Sequence, residues 1–317
     1  MSNKKRYLQF SNSQKELPIF FQPWYLDVVC GASNWQVSLF EKGGEVVAAL
    51  PYYIKHKGPF TYLTMPELSK FMGPYIAPQW RHSRHEHKII NTLVEQLPKF
   101  SFFNQNCHYT FEDWLPFFWK NFTQTTKYSY TIENLNDLDQ VLANFATDYR
   151  NTKLKKANRM VRLNFDRSLE DFFAVSKMSF SRQQKSFPLS YAFIEKYDAI
   201  LEKHKARKIF FAVDKEERIH SVGYLIWDQQ AAYYLIAGDD PELRSSGAGI
   251  FLVWQAIQFS QKTLSLNCFD FMGSMIPAIE KVRRNFGAQQ KPYFEIKKYN
   301  SLLFKTLEWL KTNFKKR

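Results

Sequence analysis

The chain has 317 residues, 45% hydrophobic and 17% aromatic with 30 Phe and 17 Tyr, which is enough for two ordinary cores and excludes a disordered protein. Three widely spaced cysteines, Cys30, Cys107 and Cys268, exclude a disulfide framework and offer no metal-type pairing, so a reducing compartment is the simpler expectation. A formal net charge of +14 implies a partner richer in negative charge, whether a nucleotide, tRNA, an anionic cell-envelope precursor or a membrane surface.

The basic start Met1–Tyr7 is followed by Ser11–Glu16 rather than by an apolar run, so no secretory leader is expected. No stretch reaches the roughly 18 apolar residues of a membrane span, and the expected location is the cytoplasm. Pro18–Cys30 reads as a short amphipathic helix with Phe20, Trp24 and Val28 in register. Trp35–Phe40, a turn at Glu41–Gly44, Val46–Leu50 running into Tyr52–Ile54, and Phe60–Leu63 read as strand, turn, strand, strand. Met72–Pro78 separates them from a helix expected over Arg81–Lys99, and its prolines remove the amide donors that an anion would need. His82, His85 and His87 do not share one helix face, and Arg81, Arg84 and Lys88 would repel a cation, so no metal site is expected. Phe100–Tyr109 and Tyr128–Glu133 read as strands, with a domain boundary at 134 that gives residues 1–134 and 135–317.

Leu138, Leu142, Phe145 and Tyr149 form an apolar stripe on a helix expected to run from Asp137 to Arg159. Its end carries Lys153, Lys155, Lys156 and Arg159, either as solvated cations that match the helix dipole or as a patch that meets phosphates. Ser168–Ala206 reads as helical with an interruption at Phe187–Pro188, and Ile194, Tyr197 and Leu201 share one face.

The segment from Lys208 to Ser274 carries the most information. Ile209–Val213, Ser221–Trp227 and Ala232–Ala237 are β-branched and aromatic runs separated by charged turns, the pattern of an antiparallel meander. After them come Arg244-Ser-Ser-Gly-Ala-Gly249 and then Ile250, Trp254 and Ile257 at helical spacing. A strand thus feeds a glycine turn that opens a helix, whose first N–H groups and positive dipole end suit a phosphate. The plainer reading is that Ser245 or Ser246 caps a buried helix. In Leu264–Asp270, alternation puts Leu264, Leu266, Cys268 and Asp270 on one strand face. Pro277–Asn285 reads as a basic helix, Tyr293–Ile296 as a strand, and Leu302–Phe314 as an amphipathic helix with a basic tail.

Arg-x-x-Gly-x-Gly between a strand and a helix resembles the pyrophosphate-binding signature of the GNAT superfamily of N-acyltransferases, and it matches at Arg244, Gly247 and Gly249. Phe269–Gly273 and Glu280–Gly287 resemble segments of the FemABX-like branch, whose members carry two GNAT-like domains. The resemblance implies an α/β (α+β) chain of two tandem domains, each a mixed, mostly antiparallel sheet flanked by helices. It also implies that Arg244, Ser245, Ser246, Gly247, Ala248 and Gly249 hold the diphosphate of an acyl-CoA, and that the preceding strand splays to offer an N–H to the thioester carbonyl. The first domain would serve the acceptor or the structure, and the terminal helix would pack back on it.

Amide formation from a thioester or ester needs a deprotonated amine, a donor to the carbonyl oxygen and an acid for the leaving group. Asp270 is a candidate to orient or deprotonate the amine, or else it pairs with Arg283 or Arg284 and serves the fold. Tyr233, Tyr234 and Tyr293 are candidate acids, against the alternative that strand aromatics belong to the core. The donor is acyl-CoA, which the Arg244 loop favours, or aminoacyl-tRNA, which the branch resemblance and the charge favour. The acceptor is an amine of a small molecule or cell-envelope precursor, and no permanently bound cofactor is implied. The rival is a non-catalytic basic nucleic-acid-binding or scaffolding protein, although no helix-turn-helix, zinc-finger or RNP-type motif is present.

Overall fold

The structure is a computed structural model that describes residues 1–181 and 186–314. Helix α1 (Asn3–Ser13), which the periodicity did not announce, is capped by Ser2 Oγ and turns Tyr7 and Phe10 inward. The helix expected over 18–30 is divided. A 3-10 turn at Ile19–Phe21 precedes α2 (Pro23–Cys30), where Pro23 takes the first helical position and its missing amide costs no hydrogen bond. Strands β1 (Trp35–Lys42), β2 (Glu45–Lys57) and β3 (Phe60–Thr64) form the expected antiparallel meander, and β4 (Tyr75–Ile76) adds to β2. The helix expected over 81–99 narrows to α3 (Glu86–Glu95), because Pro78–Trp80 makes a 3-10 turn and His82 takes φ 54° before it starts. β5 (Phe102–Asn106) then runs parallel to β3.

After α4 (Leu115–Trp119) and β6 (Thr123–Ile132), the single helix expected from Asp137 to Arg159 is replaced by α5 (Leu138–Ala143) and α6 (Leu154–Met160). The break has a tertiary cause, since Ala146 N bonds Asn285 O at 2.8 Å instead of a helical carbonyl. A π-helical turn at Tyr149–Lys153 restarts the chain, and such turns occur often at functional sites. β7 (Arg162–Asn164), α7 (Leu169–Ser181) and α8 (Tyr191–Lys203) follow; the expected helical region at 182–185 lies outside the described residues. The second meander is β8 (Arg207–Val213), β9 (Ile219–Trp227) and β10 (Ala232–Asp239), leading to α9 (Ala248–Lys262).

The strand expected over 264–270 shrinks to β11 (Phe269–Asp270), because Ser265 takes φ 56° and Leu266 N bonds back to Ser260 O. α10 (Pro277–Asn285), β12 (Gln289–Tyr299) and α11 (Leu302–Phe314) complete the chain; the expected basic tail at 315–317 lies outside the described residues.

Residues 1–127 with those from 292 onward form one compact unit, and residues 128–291 form the other. The division therefore falls within β6 rather than at 134, and the last strand and helix belong to the first unit because Glu295–Tyr299 pair with Phe102–Asn106. Each unit follows the same order of antiparallel meander, helix, and a strand parallel to the last of the meander, which is β3 with β5 in the first and β10 with β11 in the second. In the first unit, Leu50 and Leu63 pack with Ile89 and Leu93 of α3 and with Phe103. In the second, Phe251, Leu252 and Trp254 of α9 pack with Phe210, Leu225 and Phe145. Each such buried side chain contributes roughly 1.5–3 kcal/mol, so these cores set the positions of the strand ends. The opposite face of β10 is met by α7 at Gly238, where a Cβ would lie 2.8 Å from Ser176 Cα.

Candidate active site

The site begins where two parallel strands part. β10 pairs with β11 only at Ala232 with Phe269 and Tyr233 with Asp270. Beyond Asp270 the chain turns away through Met272 and Gly273, at φ 63° and 59°. On its other edge β10 has a register shift between Tyr234 and Ile236, a bulge that leaves Leu235 as the extra residue. Parting and bulge together interrupt the ladder on both edges of β10 near Leu235.

The chain leaves β10 for a 3-10 turn at Arg244–Ser246 and enters the 15-residue helix α9 through Gly247, which holds φ 80° at the N-cap without a side-chain cap. Ser246 Oγ accepts from Ala248 N at 3.2 Å, but the N-cap is Gly247 rather than Ser245 or Ser246. Arg244 is aimed by Asp239, whose Oδ2 is 3.5 Å from Arg244 Nε and whose Oδ1 accepts from Ser221 Oγ at 2.8 Å. A half-exposed pair of this kind adds little stability, about 0–1 kcal/mol, so orientation is its main effect. Gly249 is required beside it, because a Cβ there would lie 2.9 Å from Asp239 Oδ1.

A cavity of about 350 Å³ opens under this loop. Arg244, Ser245, Gly247 and Gly249 form one wall, Tyr149 and Lys153 of the π-helical turn another, and Tyr234, Arg283 and Phe286 the remainder. Lys153 bonds Asp148 at 2.6 Å and lies over the Tyr149 ring at 4.9 Å. The Arg283 guanidinium lies over Phe271 at 5.2 Å, and its Nε makes no hydrogen bond among the described residues. Burial pushes the Arg283 pKa down, an effect eased by the Asp270 carboxylate, so an anionic ligand atom beside it would relieve the cost of a half-buried cation. The Tyr234 hydroxyl sits over Gly223 of β9, where any Cβ would collide with it. Burial and then the charge of Asp239 push the Tyr234 phenol well above its ordinary range, which keeps it a proton donor.

Of the residues singled out in the sequence, the fold brings Arg244, Ser245, Gly247, Gly249, Tyr234 and Lys153 to one cavity. Ser246 and Ala248 are buried beneath the loop. Asp270 is not among the described residues lining the cavity; its Oδ1 accepts from Ser129 Oγ at 2.5 Å and from Met272 N at 2.7 Å, which ties down the turn. Arg284 pairs with Glu280. Tyr293 belongs to the first unit, edge-on to Phe71 at 5.3 Å with Lys70 over its ring at 4.9 Å. Lys155, Lys156 and Arg159 are exposed on α6. His87 meets Asp113 at 2.6 Å, and no group of three potential metal ligands occurs among the described residues. At the start of α3, Glu86 Oε2 accepts from His82 N of the preceding turn at 2.5 Å.

Sequence reasoning missed Tyr149 and Ser221, and it considered Arg283 only as an ion-pair partner for Asp270. The apolar stripe that contains Tyr149 signalled core. Nothing local marks Arg283, which reaches the loop from a separate helix.

A family model described as an acetyltransferase (GNAT) domain matches residues 131–290. Among solved structures the chain is similar to FemX, with TM-score 0.69 and 10% identity over 93% of this chain and 96% of that one. It is also similar to the C-terminal domain of a putative lysylphosphatidylglycerol synthetase from Agrobacterium fabrum, with TM-score 0.57 and 11% identity over 98% and 96% of the two chains. A tandem GNAT protein from the clavulanic acid biosynthesis pathway gives TM-score 0.51 and 10% identity over 94% and 95%. At these identities the likeness concerns the fold. No curated protein matches the sequence.

Proposed function

The chain belongs to the GNAT family of acyltransferases, with the tandem fold of its FemABX-like branch, and from this premise we propose that its second unit transfers an acyl group from acyl-CoA to an amine. The observation that carries the reading is the start of α9, free of a side-chain cap at Gly247, opening with Arg244 onto a cavity that Lys153 and Arg283 also line. Amide donors, a helix dipole and three cations suit a diphosphate.

The reaction is direct. Main-chain N–H groups near the Leu235 bulge bind the thioester oxygen as charge develops on it. The amine nitrogen forms the new bond to the carbonyl carbon, the carbon–sulfur bond breaks, Tyr234 supplies a proton to the sulfur, and the proton lost by the amine returns through solvent to the Tyr234 oxygen. The acceptor is an amine on a small molecule or cell-envelope precursor, and a cytoplasmic reaction fits a CoA donor.

A second reading has one observation of its own. Lys155, Lys156 and Arg159 continue outward from Lys153 along α6, a track that suits the backbone of an aminoacyl-tRNA.

The test is thermal unfolding with CoA and acetyl-CoA. A ligand that binds only the native state raises the melting temperature, and Arg244→Ala should diminish that rise. If millimolar CoA leaves wild type unmoved, the acyl-CoA reading fails and the tRNA reading takes its place.

A further inference from the structure

Helix α11 is anchored in the first unit by Phe304, which stacks on Phe102 at 5.5 Å and meets Phe60 edge-on at 5.3 Å. Around that anchor it leaves Leu302, Leu303, Leu307 and Trp309 at 83%, 61%, 47% and 63% exposure. Leu303 and Leu307 fall on one helical stripe, and Leu302 and Trp309, seven apart, on another. Single exposed apolar residues are ordinary, but four large ones on a 13-residue helix form a patch that needs a cover. The same helix carries Lys305 and Lys311.

Beside α11 lies a second cavity of about 350 Å³, with Lys57, Lys297 and Lys311 in its walls and Glu308 as the one carboxylate. Lys297 bonds Glu295 at 2.7 Å, whereas Lys57 and Lys311 form no ion pair among the described residues. Asn104, also in this wall, buries an Oδ1 with no hydrogen-bond donor among the described residues. An apolar helix face thus adjoins a pocket that offers cations and one acceptor, the needs of a phosphate that carries a hydroxyl or ammonium group.

We propose that α11 docks the protein on an anionic phospholipid surface. Its exposed leucines and Trp309 enter the acyl-chain boundary, and the lysine-lined cavity takes a headgroup. Charge selects this occupant over a second copy of the chain. Pairing two α11 helices would bring together two sets of lysines on chains of net charge +14, whereas an anionic surface complements them. The helix lies on the bilayer, since no described helix is long and apolar enough to cross one.

The test is co-sedimentation of the full chain with vesicles of phosphatidylglycerol and phosphatidylcholine in equal parts, against phosphatidylcholine alone. Wild type should bind the anionic vesicles and leave the neutral ones. Leu303→Glu with Leu307→Glu should weaken that binding by about tenfold or more, through lost apolar burial and added repulsion. Lys57→Ala with Lys311→Ala should weaken it and make it less sensitive to salt. Should the glutamate pair lower the melting temperature, Leu302→Ser with Trp309→Ser on the other stripe carries the same expectation. Equal binding to both vesicle types, or wild-type binding by all the variants, overturns the proposal. So does a glutamate pair that turns a dimer into a monomer by light scattering while vesicle binding persists. None of these substitutions touches the Arg244 cavity, so a CoA-induced stabilisation should survive them.

Discussion

Gly247 stands so close to the Lys153 carbonyl that a Cβ on it would lie 2.8 Å from that oxygen, at a φ of +80° that L residues rarely adopt. The glycine loop is therefore clamped against the π-helical turn, and the two walls of the cavity are set by one contact. Gly247→Ala would have to enter the left-handed region, at roughly 1–2 kcal/mol, and also push the turn away. The expected outcome is a folded protein whose CoA affinity falls by about tenfold, read by calorimetric titration. Wild-type affinity in this variant would show that the clamp does not shape the site.

Tyr234→Phe removes only a hydroxyl and should lower kcat by about 10²-fold with little change in KM, the range for a lost general acid. Because burial raises this phenol, it stays protonated through the pH at which tyrosine ordinarily ionises. Wild-type turnover should therefore show no loss of acid function as pH rises from neutral to about 10. Gly223→Ala gives an independent check, since its methyl would displace the hydroxyl and should reproduce the kcat defect.

Asp270 separates a structural role from a chemical one. Its Oδ1 accepts two hydrogen bonds at 2.5 Å and 2.7 Å, so Asp270→Ala should lose about 2–4 kcal/mol of stability in urea unfolding, while the isosteric Asp270→Asn, which keeps an acceptor, should lose less. Near-normal turnover by a stable Asp270→Asn confirms that the carboxylate anchors the turn; a stable but inactive protein assigns it to proton handling.

The α6 cations decide between donors. If they follow a tRNA backbone, Lys155→Ala with Lys156→Ala should weaken tRNA binding and reduce its log–log salt slope by about two, one per lost phosphate contact. CoA binding at the Arg244 loop should be unchanged. Identical shallow slopes for both proteins would return these residues to solvent and remove the aminoacyl-tRNA reading.

Local chemistry was legible in the sequence. The meander of β8 to β10 shows in alternating β-branched and aromatic runs, and the loop into α9 shows in Arg244, Gly247 and Gly249, because strand propensity, a left-handed turn and a helix start are properties of consecutive residues. The fold class followed from the family resemblance that these motifs carry. What they meet was not legible. Ala146 bonds Asn285 and breaks a helix that periodicity alone would continue, and β12 crosses most of the chain to pair with β5. Asp270 ends on Ser129 rather than at the cavity, while Arg283 and Tyr149 arrive there from separate helical segments. Periodicity says which face of an element is apolar; which elements close over that face, and so which side chains share a cavity, is decided by long-range pairing and packing that only the tertiary structure contains.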